Sequence, residues 1–349
     1  MDGRAGAALD GRTAGRGAVL GLPLLAAVLC ALALGALMVG PYPLGAGETL
    51  GLLLERALGG ADTGSQAEIV LFNIRLPRVA AALAVGAALA AAGAAYQGLF
   101  RNPLVSPDIL GVSSGAGLGA VLGIFLALPV FAIQAMAFAG GLAAVATVTL
   151  IAAAVRGRDT VLVLVLAGVV VGALAGAVTS LLKVLADPYD QLPAITFWLL
   201  GSLAGIRGAD VLAAVPAVAI ALLPLGLLRW RINVLAMGDE EARSLGVDAQ
   251  RLRLFVVGCA TLMTAAVVSI SGVVGWVGLV IPHIARMIVG PNFAILLPAA
   301  LMIGAGYMLL VDTLARSLTA TEVPLGILTA IIGAPVFIWL LARGRRAWS

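Results

Sequence analysis

Stretch after stretch of about 20 residues in this chain carries almost no charge, and that property decides the class of fold. A helix of about 20 apolar residues crosses the hydrocarbon core of a bilayer. Inside that core only helices or a closed barrel satisfy every backbone N–H and C=O. Eight to ten such stretches fit within the 349 residues. Hydrophobic residues make up 62% and the mean hydropathy is +1.13, far outside the range of a water-soluble domain. The expected fold is all-α and polytopic, with about ten transmembrane helices. Spans are expected near 18–40, 76–97, 109–127, 129–154, 160–184, 210–229, 252–271, 273–289, 293–316 and 324–342. The pattern is least sharp over 109–154 and 252–289, where Gly and Pro interrupt it. Residues 1–17, with Arg4, Arg12 and Arg16, read as a solvated tail, 18–343 as the membrane domain and 344–349 as a second short tail. The first apolar run is too long for a signal-peptide core and is expected to be retained.

Basic residues favour the cytoplasmic ends of membrane helices. With the N-terminus inside and ten spans, 15 of the 21 Lys and Arg residues lie on the inner side. The outer side then holds Arg56, Arg75, Arg78, Lys183, Arg207 and Arg316. Both termini are thus expected in the cytoplasm. The net charge of +4 reports topology and gives no reason to expect a nucleic-acid partner.

One stretch breaks the apolar pattern decisively. Residues 229–253 read RWRINVLAMGDEEARSLGVDAQRLR, with five arginines and four acids, in a chain that is only 11% charged. Charge at that density must sit in water. Ala236, Glu240, Arg243 and Ser244 share a helical face, and Gly246 is placed to end a short helix in a left-handed C-cap. Two short helices against the membrane would present a compact docking surface; an ordinary solvated loop has the same composition.

Other features are informative by what they lack. A phosphate-binding loop needs Gly-Lys-Ser/Thr, and the single lysine, Lys183, follows Ser-Leu-Leu. If ATP drives this protein, another polypeptide hydrolyses it. The single histidine, His283, has no ligand cluster around it in sequence, so no metal site is expected. Cys30 and Cys259 lie in apolar spans and read as packing residues. No catalytic constellation stands out, so the chain is not expected to be an enzyme. Proton- or sodium-coupled carriers place ionisable groups near mid-membrane. Here only Lys183, Asp312 and Arg316 qualify, all near expected helix ends. Glycines at four-residue spacing (Gly111, Gly115 and Gly119; Gly168, Gly172 and Gly176) let helices approach closely, either within one subunit or at a homodimer seam.

Several segments together resemble the FecCD/BtuC-type permeases, the membrane subunits of ABC importers for siderophores, haem, corrinoids and related chelates. The first is IRLPRVAAALAVGAALAAAGAAYQGLFRNPLVSPDILGVSSGAGLG over 74–119, followed by FWLLGSLAG at 197–205 and LAMGDEEARSLGVD at 235–248. GVVGWVGLVIPHIARMIVGP at 272–291 and LLVDTLARSLTATEVPLGILTAIIGAPVFIWLL at 309–341 complete the set, in the family's order from about Val19 onward. The resemblance implies a BtuC-like type II importer permease with ten helices and an inverted repeat relating helices 2–5 to 7–10. It implies a second copy of the permease, two ATP-binding subunits that hold ATP and Mg, and a periplasmic substrate-binding protein. It places the chain in the bacterial inner (plasma) membrane, surrounded by lipid, with no cofactor of its own.

The same resemblance assigns roles. Arg75, Arg78 and, with a one-residue length difference before Glu322, Arg316 match arginines that meet acidic groups on the binding protein. Read without it, Arg75 and Arg78 flank Pro77 at a helix start and point outward together, which equally suits interfacial anchoring. The stretch 235–248 matches the segment that fits a groove on the ATPase, with Ala242, Leu245 and Gly246 as its small apolar contact and Glu240, Glu241 and Arg243 around it. The turn at Asp159, Thr160 and Val161 matches the cytoplasmic gate below a pathway-lining span at 160–184. Asn102-Pro103 with Pro107, and Gly201 with Gly205, suggest broken backbone at membrane depth, as simple kinks or as pathway lining. The resemblance implies inward movement of a metal chelate, with iron chelate first, haem next and corrinoid or an oxyanion still open. The alternative is an ion-coupled secondary transporter working alone.

Overall fold

The computed structural model describes residues 3–60, 64–155, 160–319 and 321–343, leaving aside the side chains of 3–20, Thr160 and Arg343. The expected tails at 344–349 and at the first two residues therefore lie outside the described residues, as does Asp159. The chain forms α1 (Gly3–Met38), α2 (Ala46–Ala57), α3 (Gln66–Glu68), α4 (Leu76–Leu99), α5 (Val112–Phe125), α6 (Val130–Ala154), α7 (Thr160–Leu185) and α8 (Gln191–Leu200). Then follow α9 (Gly208–Leu227), α10 (Arg229–Met237), α11 (Asp239–Ser244), α12 (Ala249–Ser271), α13 (Val277–Val289), α14 (Phe293–Ala315) and α15 (Leu325–Arg343). Among the described residues there is no strand. Eight helical runs are long and apolar enough to cross a membrane, and with α5 and α13 they account for the ten expected spans. This is an integral membrane protein.

Helix α4 is the axis of the bundle, and its composition explains why. Its sequence is dominated by Ala and Gly, so its surface offers little more than methyl groups, and neighbours close on it backbone to backbone. A Cβ added at Gly86 would lie 2.1 Å from the Gly304 carbonyl oxygen of α14, and one at Gly93 would lie 1.9 Å from that of Gly278 in α13. The same logic joins α5 to α6 through Gly115 and Gly140, and α7 to the turn before α5 through Gly168 and the Ile109 carbonyl. These glycines of the expected stripes are thus consumed inside the subunit, whereas Gly176 faces open space. Helix α7 carries a broad exposed apolar face that includes Val169, Leu174, Leu181 and Val184.

Three elements differ from the sequence expectation, each for a backbone reason. The helix expected to begin near residue 76 starts at Gln66 and runs unbroken to Leu99, through a π-helical turn at Ile69–Arg75. Pro77 has no N–H to donate, so the α-helical ladder fails at that point. The preceding turn opens to i→i+5 spacing, with Leu76 N–H reaching the Leu71 carbonyl. The spans expected from 109 and 273 begin later: a 3₁₀ turn at Pro107–Leu110 precedes α5 with Gly111 at φ 78°, and irregular chain with Gly272 and Trp276 at positive φ precedes α13. At about 20 Å each, α5 and α13 are too short to cross alone. Helix α8 ends at Gly201, φ 75°, so the break expected there is present.

The two broken stretches, 201–207 and 272–276, meet. Ser202 N–H donates to the Ser271 carbonyl at 2.8 Å, and Leu325 N–H donates to the Gly201 carbonyl at 2.9 Å. Gly272, at φ 68°, passes so close to the Trp198 carbonyl that a Cβ would sit 2.3 Å from it. These bonds answer the requirement that exposed backbone at depth find partners. Trp276 precedes α13 at φ 70° and ψ −33°, a sparsely populated conformation that costs a non-glycine residue about 1–3 kcal/mol. It is held against Gly333 of α15, with its ring edge-on to Phe337 at 6.2 Å.

The axial packing predicts that Gly86→Val, which drives methyls into the Gly304 carbonyl, destabilises the subunit by at least about 3 kcal/mol. Gly176→Val should be nearly neutral. Thermal unfolding of the two variants in detergent tests the difference, and equal midpoints would refute it.

Candidate functional site

The charged stretch folds as two short helices. Helix α10 stops at Met237 because Gly238, at φ 143°, turns the chain, and the Glu241 carboxylate packs across it. Helix α11 ends in a Schellman motif: Val247 N–H donates to the Ala242 carbonyl at 2.8 Å and Gly246 N–H to that of Arg243 at 3.0 Å. Gly246, at φ 76°, is the left-handed residue that the sequence indicated. The shared face is solvent-facing, since Ala236, Glu240, Arg243 and Ser244 are all exposed. So are Glu241, Gly246 and Leu245, the last 52% exposed. Ala242 is a correction. Expected to touch a partner, it is fully buried within the subunit, because it faces inward from the short helix.

This platform is fastened to the bundle. Arg253 at the base of α12 pairs with Asp239 at 2.9 Å. Asp248 caps α12, accepting from Arg251 N–H at 3.0 Å. Asn233 of α10 makes the longest reach: its carbonyl oxygen accepts from Phe293 N–H at 2.7 Å and its amide donates to Asn292 Oδ1 at 2.8 Å. Asn292 in turn caps α14 by accepting from Ala294 N–H. A side chain of the platform therefore closes the first turn of α14, satisfying donors that a helix start leaves unpaired.

The other end of α14 carries the second polar layer. The expectation that Arg75 and Arg78 point outward is overturned: Arg75, Arg78 and Arg316 are 3%, 6% and 8% exposed. Arg75 closes the π turn and Arg78 lies in the first turn of α4, and both side chains enter the protein. Arg78 Nε donates to both oxygens of Asp312, at 2.9 and 3.1 Å, and its two terminal nitrogens grip Glu322 in a fork at 2.6 and 2.8 Å. Arg316 Nε stands 3.8 Å from the same Asp312 without a hydrogen bond. Its terminal nitrogens donate to the Ala36 and Val39 carbonyls. Arg75 donates to the carbonyls of Leu37 and Met38, at 2.7 and 3.0 Å, and to that of Tyr42. Two guanidiniums thus collect the orphan carbonyls at the end of α1, where a helix dipole favours cations. Sequence reasoning named the three arginines but missed the acids that stand against Arg78 and Arg316. Asp312 was visible as a charge near a span end, and only the fold brings it 234 residues back to Arg78.

Of the expected gate residues, Val161 lies half-buried in the first turn of α7, and Thr160 begins that helix. Among the described residues no three His, Cys, Asp or Glu side chains gather as metal ligands.

The FecCD transport family matches residues 25–343. The molybdate import permease MolB of Haemophilus influenzae is 39% identical over 329 residues, spanning 93% of this chain and 96% of that protein. The cobalamin import permease BtuC of Halobacterium salinarum is 45% identical over 276 residues, 79% of this chain and 74% of that protein. Among solved structures, a metal-chelate type ABC transporter in an inward-facing conformation superposes with a TM-score of 0.82 at 38% identity, covering 93% of this chain and 98% of its own.

The polar layer makes a thermodynamic prediction. Asp312→Leu removes the buried carboxylate shared by Arg78 and Arg316 and should destabilise the protein by about 3–5 kcal/mol. Glu322→Gln, at a side chain 36% exposed, should cost no more than about 1 kcal/mol. Thermal unfolding in detergent reads both, and similar losses would contradict this ranking.

Proposed function

Since the chain belongs to the FecCD transport family and is an ABC importer permease, we propose that it works as a homodimer moving a metal chelate into the cytoplasm. Two separate ATP-binding subunits power it, and an extracytoplasmic binding protein supplies the cargo. The observation that carries this reading is the platform of α10 and α11: short, capped, pinned to α12 and α14, and solvent-facing at Glu240, Glu241, Arg243, Leu245 and Gly246. A stiff, capped body of that kind transmits a push that a flexible loop would absorb. Its end of the bundle is the cytoplasmic one, which puts Arg78 and its partners on the outer side of the inner membrane.

At that outer side Arg75, Arg78 and Arg316 serve docking by exchange. The Glu322 carboxylate already occupies the position that an acidic group of the binding protein would take on Arg78, and its partial exposure leaves it displaceable. The broad apolar face of α7 lines the pathway near the two-fold axis, with the turn around Asp159, Thr160 and Val161 as its inner gate. Cargo selection resides mainly in the binding protein. An iron chelate is the first choice and haem the next, in keeping with the metal-chelate transporter of like structure. Molybdate is the second reading, favoured by the near full-length match to MolB.

Three measurements test this. A tagged subunit should retain an ATP-binding subunit, and Leu245→Arg should abolish that retention while leaving the melting temperature within a few degrees. Uptake into proteoliposomes should require ATP and survive an uncoupler; uptake driven by an ion gradient without ATP would refute the proposal. Glu322→Gln should raise the rate of binding-protein association several-fold at low salt, and an unchanged or slower rate would remove the exchange model.

A further inference from the structure

Helices α9 and α14 both lean on α4, yet they diverge at the end where α10 begins and leave a cleft of about 660 Å³ between them. Its floor is Phe293 and Leu297, both buried, and Leu301 closes it at depth. Its outer wall is Leu223, Gly226 and Leu227, the two leucines about two-thirds or more exposed. From Phe293 to Leu301 the cleft runs about 12 Å along α14. It lies on the sides of two apolar spans and opens sideways, so at membrane depth it faces acyl chains and not water. One end differs: there Arg229, exposed, stands beside the first turn of α14, and no acidic residue lines any part of it. A narrow apolar slot with a single guanidinium at its aqueous end has the polarity of one phospholipid.

We propose that this cleft binds an anionic glycerophospholipid from the leaflet on the Arg229 side. An acyl chain lies over Phe293 and Leu297, and the phosphate pairs with Arg229. Arginine suits a phosphate because its fork matches the oxygens in a bidentate fashion. The positive end of the α14 dipole adds to the attraction, although Asn233 and Asn292 already occupy its first N–H groups. A chain seated there fills the gap between the helix that leads into the platform and the helix that the platform caps. The proposal is independent of cargo and of the ATPase.

The full-length protein, extracted in a mild detergent and supplied with mixed phosphatidylglycerol and phosphatidylethanolamine, is examined by native mass spectrometry. The wild type should retain one phosphatidylglycerol per chain in preference to phosphatidylethanolamine. Arg229→Gln should reduce that preference about fivefold, as expected for one basic residue at a lipid surface. Gly226→Leu should cut retention of both lipids about tenfold, because a Cβ there meets only open space and the added side chain occupies the slot. Leu223→Trp offers a second way of filling it, and an unchanged melting temperature shows that a variant is folded. Equal retention of the two lipids by the wild type, or undiminished retention in both filling variants, overturns the proposal. So does a filling variant that converts dimers to monomers with its bound lipid unchanged, which would mean that a second copy of the chain covers the cleft.

Discussion

Everything in this subunit is arranged around how closely a backbone can approach α4. Water supplies no drive to press helices together inside a bilayer, so their association rests on dispersion, and dispersion falls off steeply with distance. A helix bearing leucines would hold its neighbours 8–10 Å from its axis. By presenting Gly86 to Gly304 and Gly93 to Gly278, α4 brings α13 and α14 into carbonyl contact. The remaining helices then pack around that nucleus. The most buried helix of the protein is accordingly among the poorest in side-chain volume.

Helix α14 gains a special position from that contact. It is held to the axis midway by Gly304, at one end by Asn233 through the cap on Phe293, and at the other by Asp312 through Arg78. A rod fixed at three points moves as a unit. The platform of α10 and α11 and the arginine layer on the far side are thus joined by one continuous helix. The layer itself holds three guanidiniums against two carboxylates, and main-chain carbonyls of α1 take up the excess. Breaking one pair there disturbs α1, α4 and α14 together.

The number and order of the spans were legible in the sequence because hydrophobic length is a local property. So was the left-handed end of α11, since a glycine after a charged helix leaves few alternatives. What escaped was set by backbone events or by distant partners. Pro77 was read as a helix start, but the chain met its missing donor by widening the previous turn, and Arg75 and Arg78 both enter the protein. Ala242 was placed at a partner contact by resemblance of the stretch to a docking segment, yet one face of even a six-residue helix must rest on something. Helix α8, at ten residues, and α2, with its mixed composition, fall below the length at which hydropathy alone signals a helix. Asp312 and Glu322 became meaningful only when the fold delivered them to Arg78.

The junction where 201–207 meets 272–276 has a consequence for how such a molecule diversifies. Its cohesion comes from peptide groups, Ser202 to Ser271 and Leu325 to Gly201, which are the same whatever side chains hang from them. An exposed residue such as Ala204 can then change in bulk or polarity while the scaffold keeps its shape. Side chains along this junction can thus vary without the main-chain bonds that hold its shape having to be rebuilt.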